Sequence, residues 1–114
     1  MKVAIVGSRS FDNYELLKHT IEKLNFSISQ IISGGAKGAD SLAERCAEEF
    51  NIPIIIYKPD WAIYGKAAGI VRNKKIIDHC EYCLVFWDQK SYGTKSSIDY
   101  CVKAGKPLHV VDIS

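Results

Sequence analysis

The sequence predicts an α/β fold: a Rossmann-like, doubly wound sheet of five parallel strands flanked by helices. Three observations carry that prediction. Short apolar runs of strand length alternate along the whole chain with segments of helical periodicity. The runs are rich in Val and Ile without polar alternation, as strands covered on both faces should be. Each run is also returned by a helix, which is what parallel pairing requires.

The elements follow in order. Val3-Ala4-Ile5-Val6 is the first strand, ended by Gly7. Asp12 with Glu15 three residues on resembles a capping box, and Tyr14, Leu17, Ile21 and Leu24 keep one helical face. Ser29 to Ser33 is the second strand, followed by Gly34-Gly35. Leu42, Ala43, Cys46, Ala47 and Phe50 give the next helix a broad apolar face. Pro53 to Tyr57 is the third strand, with Pro at its first position, where no interior ladder bond is lost.

A third helix is expected over about Gly65 to Cys80, with Ile70, Ile77 and Cys80 inward. Tyr82 to Trp87 is the fourth strand. The fourth helix starts near Thr94, buries Ile98, Cys101 and Val102, and stops at Gly105-Lys106-Pro107. Leu108 to Val111 is the last strand. Topological rules for such sheets give the strand order 3-2-1-4-5. These steps consume residues 1–114 as a single domain.

Composition agrees. The chain of 114 residues is 47% hydrophobic and 25% charged, which excludes disorder, and its 8 scattered Gly exclude a coiled coil. A net charge of +2 is too balanced for a protein whose whole surface binds nucleic acid, so any anion site must come from local placement of charge. No apolar run reaches the length of a signal segment or a membrane span, and a cytoplasmic location without membrane contact is expected. Cys46, Cys80, Cys83 and Cys101 read as core thiols rather than a metal or redox set, because Cys80-x-x-Cys83 has no second pair to complete a zinc site.

The informative residues follow strand ends, where ligands bind in this architecture. Strand one runs into Gly7-Ser8-Arg9-Ser10, strand two into Ser33-Gly34-Gly35-Ala36-Lys37-Gly38-Ala39-Asp40. Strand three is followed by Pro59-Asp60-Trp61, and strand four by Asp88 through Gly93-Thr94. Glycines at 34, 35 and 38 let backbone pass close to a ligand, and the helix start behind them favours an anion, with Lys37 beside it. The competing reading is a turn whose glycines serve helix–sheet packing alone. The segment is not a Walker loop, because no Gly-Lys-Ser/Thr opens the helix.

Gly93-Thr94 opens a second helix, with Thr94 as cap or anion ligand. Arg9 could clamp a carboxylate or phosphate. Asn73, between Ile70 and Ile77, must be hydrogen-bonded and suits bracing of a loop, whereas Arg72 suits a ligand. Trp61 and Tyr64 could stack on a base or sugar, or pack as core aromatics.

Together Val6-Gly7-Ser8-Arg9-Ser10-Phe11, Ser33 to Asp40, Asp60-Trp61, Gly65-Lys66-Ala67-Ala68-Gly69, Arg72-Asn73 and Gly93-Thr94 resemble the YspA, cpYpsA-related branch of the SLOG superfamily. The likeness spans almost the whole chain in order. It implies a Rossmann-like domain that binds a nucleotide or nucleotide-derived ligand, as a sensor or a glycosidase-like enzyme. It also implies, through the DprA relatives, the alternative of single-stranded nucleic-acid binding. The LOG relatives release a base from a nucleoside monophosphate with a Gly-Gly-x-Gly-Thr-x-x-Glu stretch whose Glu is catalytic.

Here Ser97 stands where that Glu would be. Asp99 lies about 200° further around the helix by the 3.6-residue repeat and does not replace it. The LOG mechanism therefore does not carry over. Asp40, Asp60 and Asp88 remain the candidate acid–base carboxylates, Asp40 having a bracing role as its competing reading. The ligand-binding set expected is Gly7, Ser8, Arg9, Ser33, Gly34, Gly35, Lys37, Gly38, Asp40, Trp61, Arg72, Asn73, Gly93 and Thr94, with no metal and no resident cofactor. With no second domain to close over it, the site should be shallow, suited to a small ligand, or completed by another copy in a homo-oligomer.

Overall fold

Strands β1 (Lys2–Gly7), β2 (Gln30–Ser33), β3 (Ile54–Ile56), β4 (Tyr82–Trp87) and β5 (Leu108–Asp112) form the sheet. In the computed structural model, which describes residues 1–114, all four pairings are parallel and the order is β3-β2-β1-β4-β5. That is the order expected from sequence. The helices are α1 (Tyr14–Glu22), α2 (Ala39–Glu49), α3 (Trp61–Tyr64), α4 (Ala68–His79) and α5 (Tyr92–Lys103), with a 3-10 turn at Gly65–Ala67 joining α3 to α4.

Alternate residues of each strand serve opposite faces of the sheet. Val3, Ile5, Ile31, Leu84 and Phe86 face α1 and α2, and join Tyr14, Leu17, Ala43 and Cys46 in one core cluster. Ala4, Val6, Ile32, Cys83 and Val85 face α4 and α5, and join Ile76, Ile77, Cys80 and Cys101 in the other. Each fully buried Ile or Leu contributes about 1.5–3 kcal/mol by removal from water. Small residues on α2, Ala39, Ala43 and Ala47, bring its axis close to the sheet.

Several element ends differ from expectation, each for a local reason. Asn13, not Asp12, caps α1, its side chain accepting the Leu16 amide at 3.1 Å. Asp60 caps a short helix α3 that has no apolar periodicity to announce it, accepting the Ile63 amide. Ile70 is 49% exposed because the first turn of α4 overhangs the end of the sheet, whereas Ile76 and Ile77 sit over it. The inward stripe of α5 runs through Thr94, Ser97 and Cys101, leaving Val102 65% exposed on the next column. Phe50 at the end of α2 is exposed rather than inward, with Lys18 Nζ 5.6 Å from its ring centre.

The cysteines are buried as expected. Cys46 and Cys80 are free thiols, and Cys83 on β4 and Cys101 on α5 bring their sulfurs into contact within the core. Both lie on facing surfaces of adjacent layers, a juxtaposition that a separation of 18 residues does not announce. Cys80 Sγ lies 3.4 Å from Cys83 Sγ.

Two glycines permit the close approach on which the carboxyl edge of the sheet depends. A Cβ on Gly7 would collide with the Phe86 carbonyl oxygen, and one on Gly38 with the Ser8 carbonyl oxygen. Gly38 also has φ +78°, where side chains other than Gly are strained. Gly38→Ala should therefore lower stability by about 2 kcal/mol or more. Gly69→Ala meets open space in a helix, and should raise stability by about 0.5 kcal/mol. Urea unfolding midpoints of the two variants check both signs.

Candidate functional site

The strand order reverses between β1 and β4, and a cavity of about 480 Å³ opens there at the carboxyl ends of the strands. That volume lies within the range of small-ligand sites. Its wall is built from the β1–α1 loop (Gly7, Arg9, Ser10), the start of α2 (Ala36, Asp40), α3 and α4 (Trp61, Lys66, Gly69, Ile70, Arg72, Asn73) and the start of α5 (Asp88, Ser91, Gly93, Thr94, Ser97), with Val6 beneath.

Of the residues that the sequence singles out, Gly7, Arg9, Asp40, Trp61, Arg72, Asn73, Asp88, Gly93 and Thr94 meet at this cavity. Ser8, Ser33, Gly34, Gly35, Lys37, Gly38 and Asp60 lie outside its lining. The glycine-rich turn after β2 faces the protein. Gly34 accommodates the Arg72 guanidinium and the Asp40 carboxylate, and Gly35, at φ +69°, packs on Ile56. The Ala36 amide donates to Asp40 Oδ2 at 3.2 Å and the Ala39 amide to the Ser8 carbonyl at 3.3 Å. Those two amides are thus already engaged.

Ser8 is 1% exposed and joins three segments. Its amide donates to Phe86 O at 2.9 Å, and its carbonyl accepts Phe11 N at 3.2 Å as well as Ala39 N. Its hydroxyl oxygen accepts the Asp88 amide at 3.0 Å and lies 3.1 Å from Ser91 Oγ. Ser33, fully buried, donates its hydroxyl to Ile5 O.

Arg72 contacts the loop for which Asn73 was the expected brace, and Asn73 contacts Arg72. Arg72 Nη1 donates to Gly34 O at 2.8 Å and its Nε to Asn73 Oδ1 at 2.7 Å, so the arginine braces the loop and the asparagine orients the arginine. Burial pulls the Arg72 pKa down, and neighbouring Asp40 pushes it back up.

The candidate carboxylates separate by environment. Asp60 caps α3 away from the cavity. Asp88 Oδ1 accepts the amides of Lys90 (2.9 Å) and Ser91 (2.7 Å), and Oδ2 accepts the hydroxyls of Ser91 (2.9 Å) and Ser10 (3.3 Å). These backbone donors hold its pKa far below the usual carboxylate range, so it braces the loop as a carboxylate at neutral pH. Asp40 has the opposite setting: burial pushes its pKa up, partly offset by the Ala36 amide and then by Arg72.

The start of α5 keeps unsatisfied donors. Helical bonding begins with Lys95 N to Ser91 O, which leaves the amides of Tyr92, Gly93 and Thr94 without backbone acceptors. Nothing lies within 4 Å of a Cβ built on Gly93. Thr94 is 6% exposed and lines the cavity, and its hydroxyl takes no part in the surrounding hydrogen-bond network. Arg9, Lys66 and Arg72 line the same cavity against Asp40 and Asp88, so cations outnumber carboxylates there. Lys37 lies outside it, and Lys95 pairs with Asp99 at 2.6 Å.

At the rim Trp61 is 59% exposed, with Tyr64 and Ile63 exposed beside it on a helix that buries no residue. Ser97 Oγ donates to Gly93 O at 3.2 Å, so at the position of the LOG glutamate stands a hydroxyl bonded to its own helix. The ligand-binding set expected from sequence omits Ser91, Ser10 and Lys66, which belong to the same wall. The Asp88-x-x-Ser91 spacing at a strand-to-helix turn was the available signal for the first.

A model of the YspA, cpYpsA-related SLOG family matches residues 1–64. The Gene 61 protein of Mycobacterium phage D29 is 31% identical over 117 residues, an alignment covering 94% of this chain and 93% of that protein. No solved structure matches the chain.

The two cavity carboxylates predict opposite pH effects. Asp88 is depressed, so its stabilisation is complete above the unfolded pKa of about 3.9 and is lost as pH falls through its folded pKa. Asp88→Asn should lower stability at neutral pH, with the deficit shrinking in acid. Asp40 is raised, so its cost appears as pH rises above the unfolded value; Asp40→Asn should be neutral or stabilising at pH 7. Urea melts across pH 3–7 check both signs. Ser8→Ala should cost about 1 kcal/mol by leaving the half-buried Asp88 amide without its acceptor.

Proposed function

The chain belongs to the YspA, cpYpsA-related SLOG family, and from that premise we propose that its cavity binds a nucleotide or nucleotide-derived small molecule, with the anionic end on the start of α5. The observation that carries this reading is Thr94. A hydroxyl on a nearly buried residue, left out of the protein's own hydrogen bonds, sits beside three free amides at a positive helix end. Phosphate oxygens satisfy all of these donors at once. Arg9, exposed and lining the same wall, supplies a mobile charge, while Arg72 is already held by the loop. Trp61 offers a flat apolar face at the rim for a base.

Membership points to a nucleotide-related ligand without fixing a reaction. The chemistry of the cavity suits recognition more readily than LOG-type hydrolysis, because Ser97 replaces the glutamate and Asp88 is held ionised by its donors. Binding as a sensor is therefore the reading we adopt. Single-stranded nucleic acid is a second reading favoured by one observation: exposed Trp61 lines the cavity with Lys66, and Tyr64 beside it on α3 is exposed as well.

Isothermal titration of nucleoside mono- and diphosphates should give saturable binding that Thr94→Val weakens about tenfold and Arg9→Ala several-fold. Unchanged affinity in both variants would overturn the proposal. Oligonucleotide binding that outcompetes mononucleotides and falls steeply between about 50 and 200 mM salt would select the second reading.

A further inference from the structure

Among the three candidate carboxylates, one alone presents an unused oxygen to the cavity. Asp60 faces away, and both oxygens of Asp88 are occupied by donors from Ser10, Lys90 and Ser91. Asp40 is 7% exposed and lines the cavity, and its Oδ2 accepts the Ala36 amide. The neighbouring Ser33 hydroxyl, close enough to pull the Asp40 pKa down, also donates to Ile5 O, and the Arg72 guanidinium donates to Gly34 O and Asn73 Oδ1. Asp40 Oδ1 is therefore an acceptor of high strength that takes no backbone donor and stays open to the cavity on an otherwise buried residue.

A group in that position calls for a hydrogen-bond donor from a ligand. A cationic donor is disfavoured by Arg9, Lys66 and Arg72 on the same wall. A neutral hydroxyl is not. The flat apolar surface for a base is at the exposed rim, on Trp61, and the anion donors are at the start of α5. The part of a nucleotide that joins base to phosphate is the sugar, so the sugar is the part left to meet the cavity wall.

We infer that Asp40 accepts hydrogen bonds from the sugar hydroxyls of the ligand, and that the site selects ribosyl over 2-deoxyribosyl phosphates. The claim rests on the reading of an anion at α5. The packing around Asp40 suits this role. Gly34 has no side chain, and a Cβ there would press on Asp40 Oδ2 and Arg72 Nη1, so the carboxylate and its cationic neighbour are held against the loop in one place. Arg72 favours the ionised form without occupying the carboxylate. Burial raises the Asp40 pKa in the free protein, and hydroxyl donors would relieve part of that desolvation on binding.

Ribose 5-phosphate and 2-deoxyribose 5-phosphate test the assignment without a choice of base. Two-dimensional amide NMR titrations should move the Gly93 and Thr94 resonances with both, and give a dissociation constant about tenfold or more lower for the ribosyl compound. In Asp40→Asn that ratio should fall to near one, because the amide keeps the shape but loses the charged acceptor. Equal affinity for the two sugars in the wild-type chain, with Gly93 and Thr94 still responding, would overturn the role of Asp40 and leave the anion reading intact. No response of Gly93 and Thr94 to either sugar or to inorganic phosphate would overturn both. Should the variant fold poorly, the sugar pair on the wild-type chain decides alone.

Discussion

The carboxyl edge of the sheet depends on the burial of Ser8. One residue satisfies its amide on β4, its carbonyl on α2 and the β1–α1 loop, and its hydroxyl on the β4–α5 loop. Three segments far apart in sequence are thereby held at fixed separations. The approach is possible only because Gly7 and Gly38 lack side chains at the contact. Phe11 stacked on Phe86, with centroids 4.6 Å apart, closes the same junction from the core side. A buried polar group is costly unless fully bonded, so this junction holds in one arrangement.

The cavity is a consequence of that rigid junction. Its polar groups divide into those that brace and those left open. Arg72 and Asp88 bond the backbone of the loops around them, and Asn73 orients Arg72. Thr94, Arg9, Asp40 and the first amides of α5 keep donors or an acceptor free toward the cavity. A wall with a firm outer layer and a few open groups inside it is preorganised, so little ordering cost falls on binding. The near-neutral total charge does not oppose this, because Arg9, Lys66 and Arg72 gather at one edge.

The sheet was legible because each strand announces itself by an unbroken Val/Ile run and each helix by its spacing. The strand order followed from chirality and connection rules. What failed were positions at element ends. Ile70 and Val102 have the right composition for a core stripe, but one overhangs the sheet and the other falls a column away from it. Helix α3 carries only four residues, too few for any period to register. Among the site candidates, Gly34, Gly35 and Gly38 stood out as a glycine-rich turn, and the competing packing reading describes where their surfaces face. Gly93 and Thr94 stood out less by composition, yet they hold the open donors.

Sequence by itself determined the fold class, the order of elements, the edge of the sheet where polar and glycine residues collect, and the family resemblance. All of these are encoded in local pattern and in the order of motifs along the chain. Only the tertiary structure decided which polar groups are already paired. That Arg72 braces a loop shows only in the Gly34 carbonyl 2.8 Å away, and that Asp88 is enclosed only in the four donors around it. Hydrogen bonds within the chain compete with those to a ligand, and the outcome depends on contacts between residues 38 or 80 positions apart. No local pattern records that competition, so the open groups of this cavity are visible only in three dimensions.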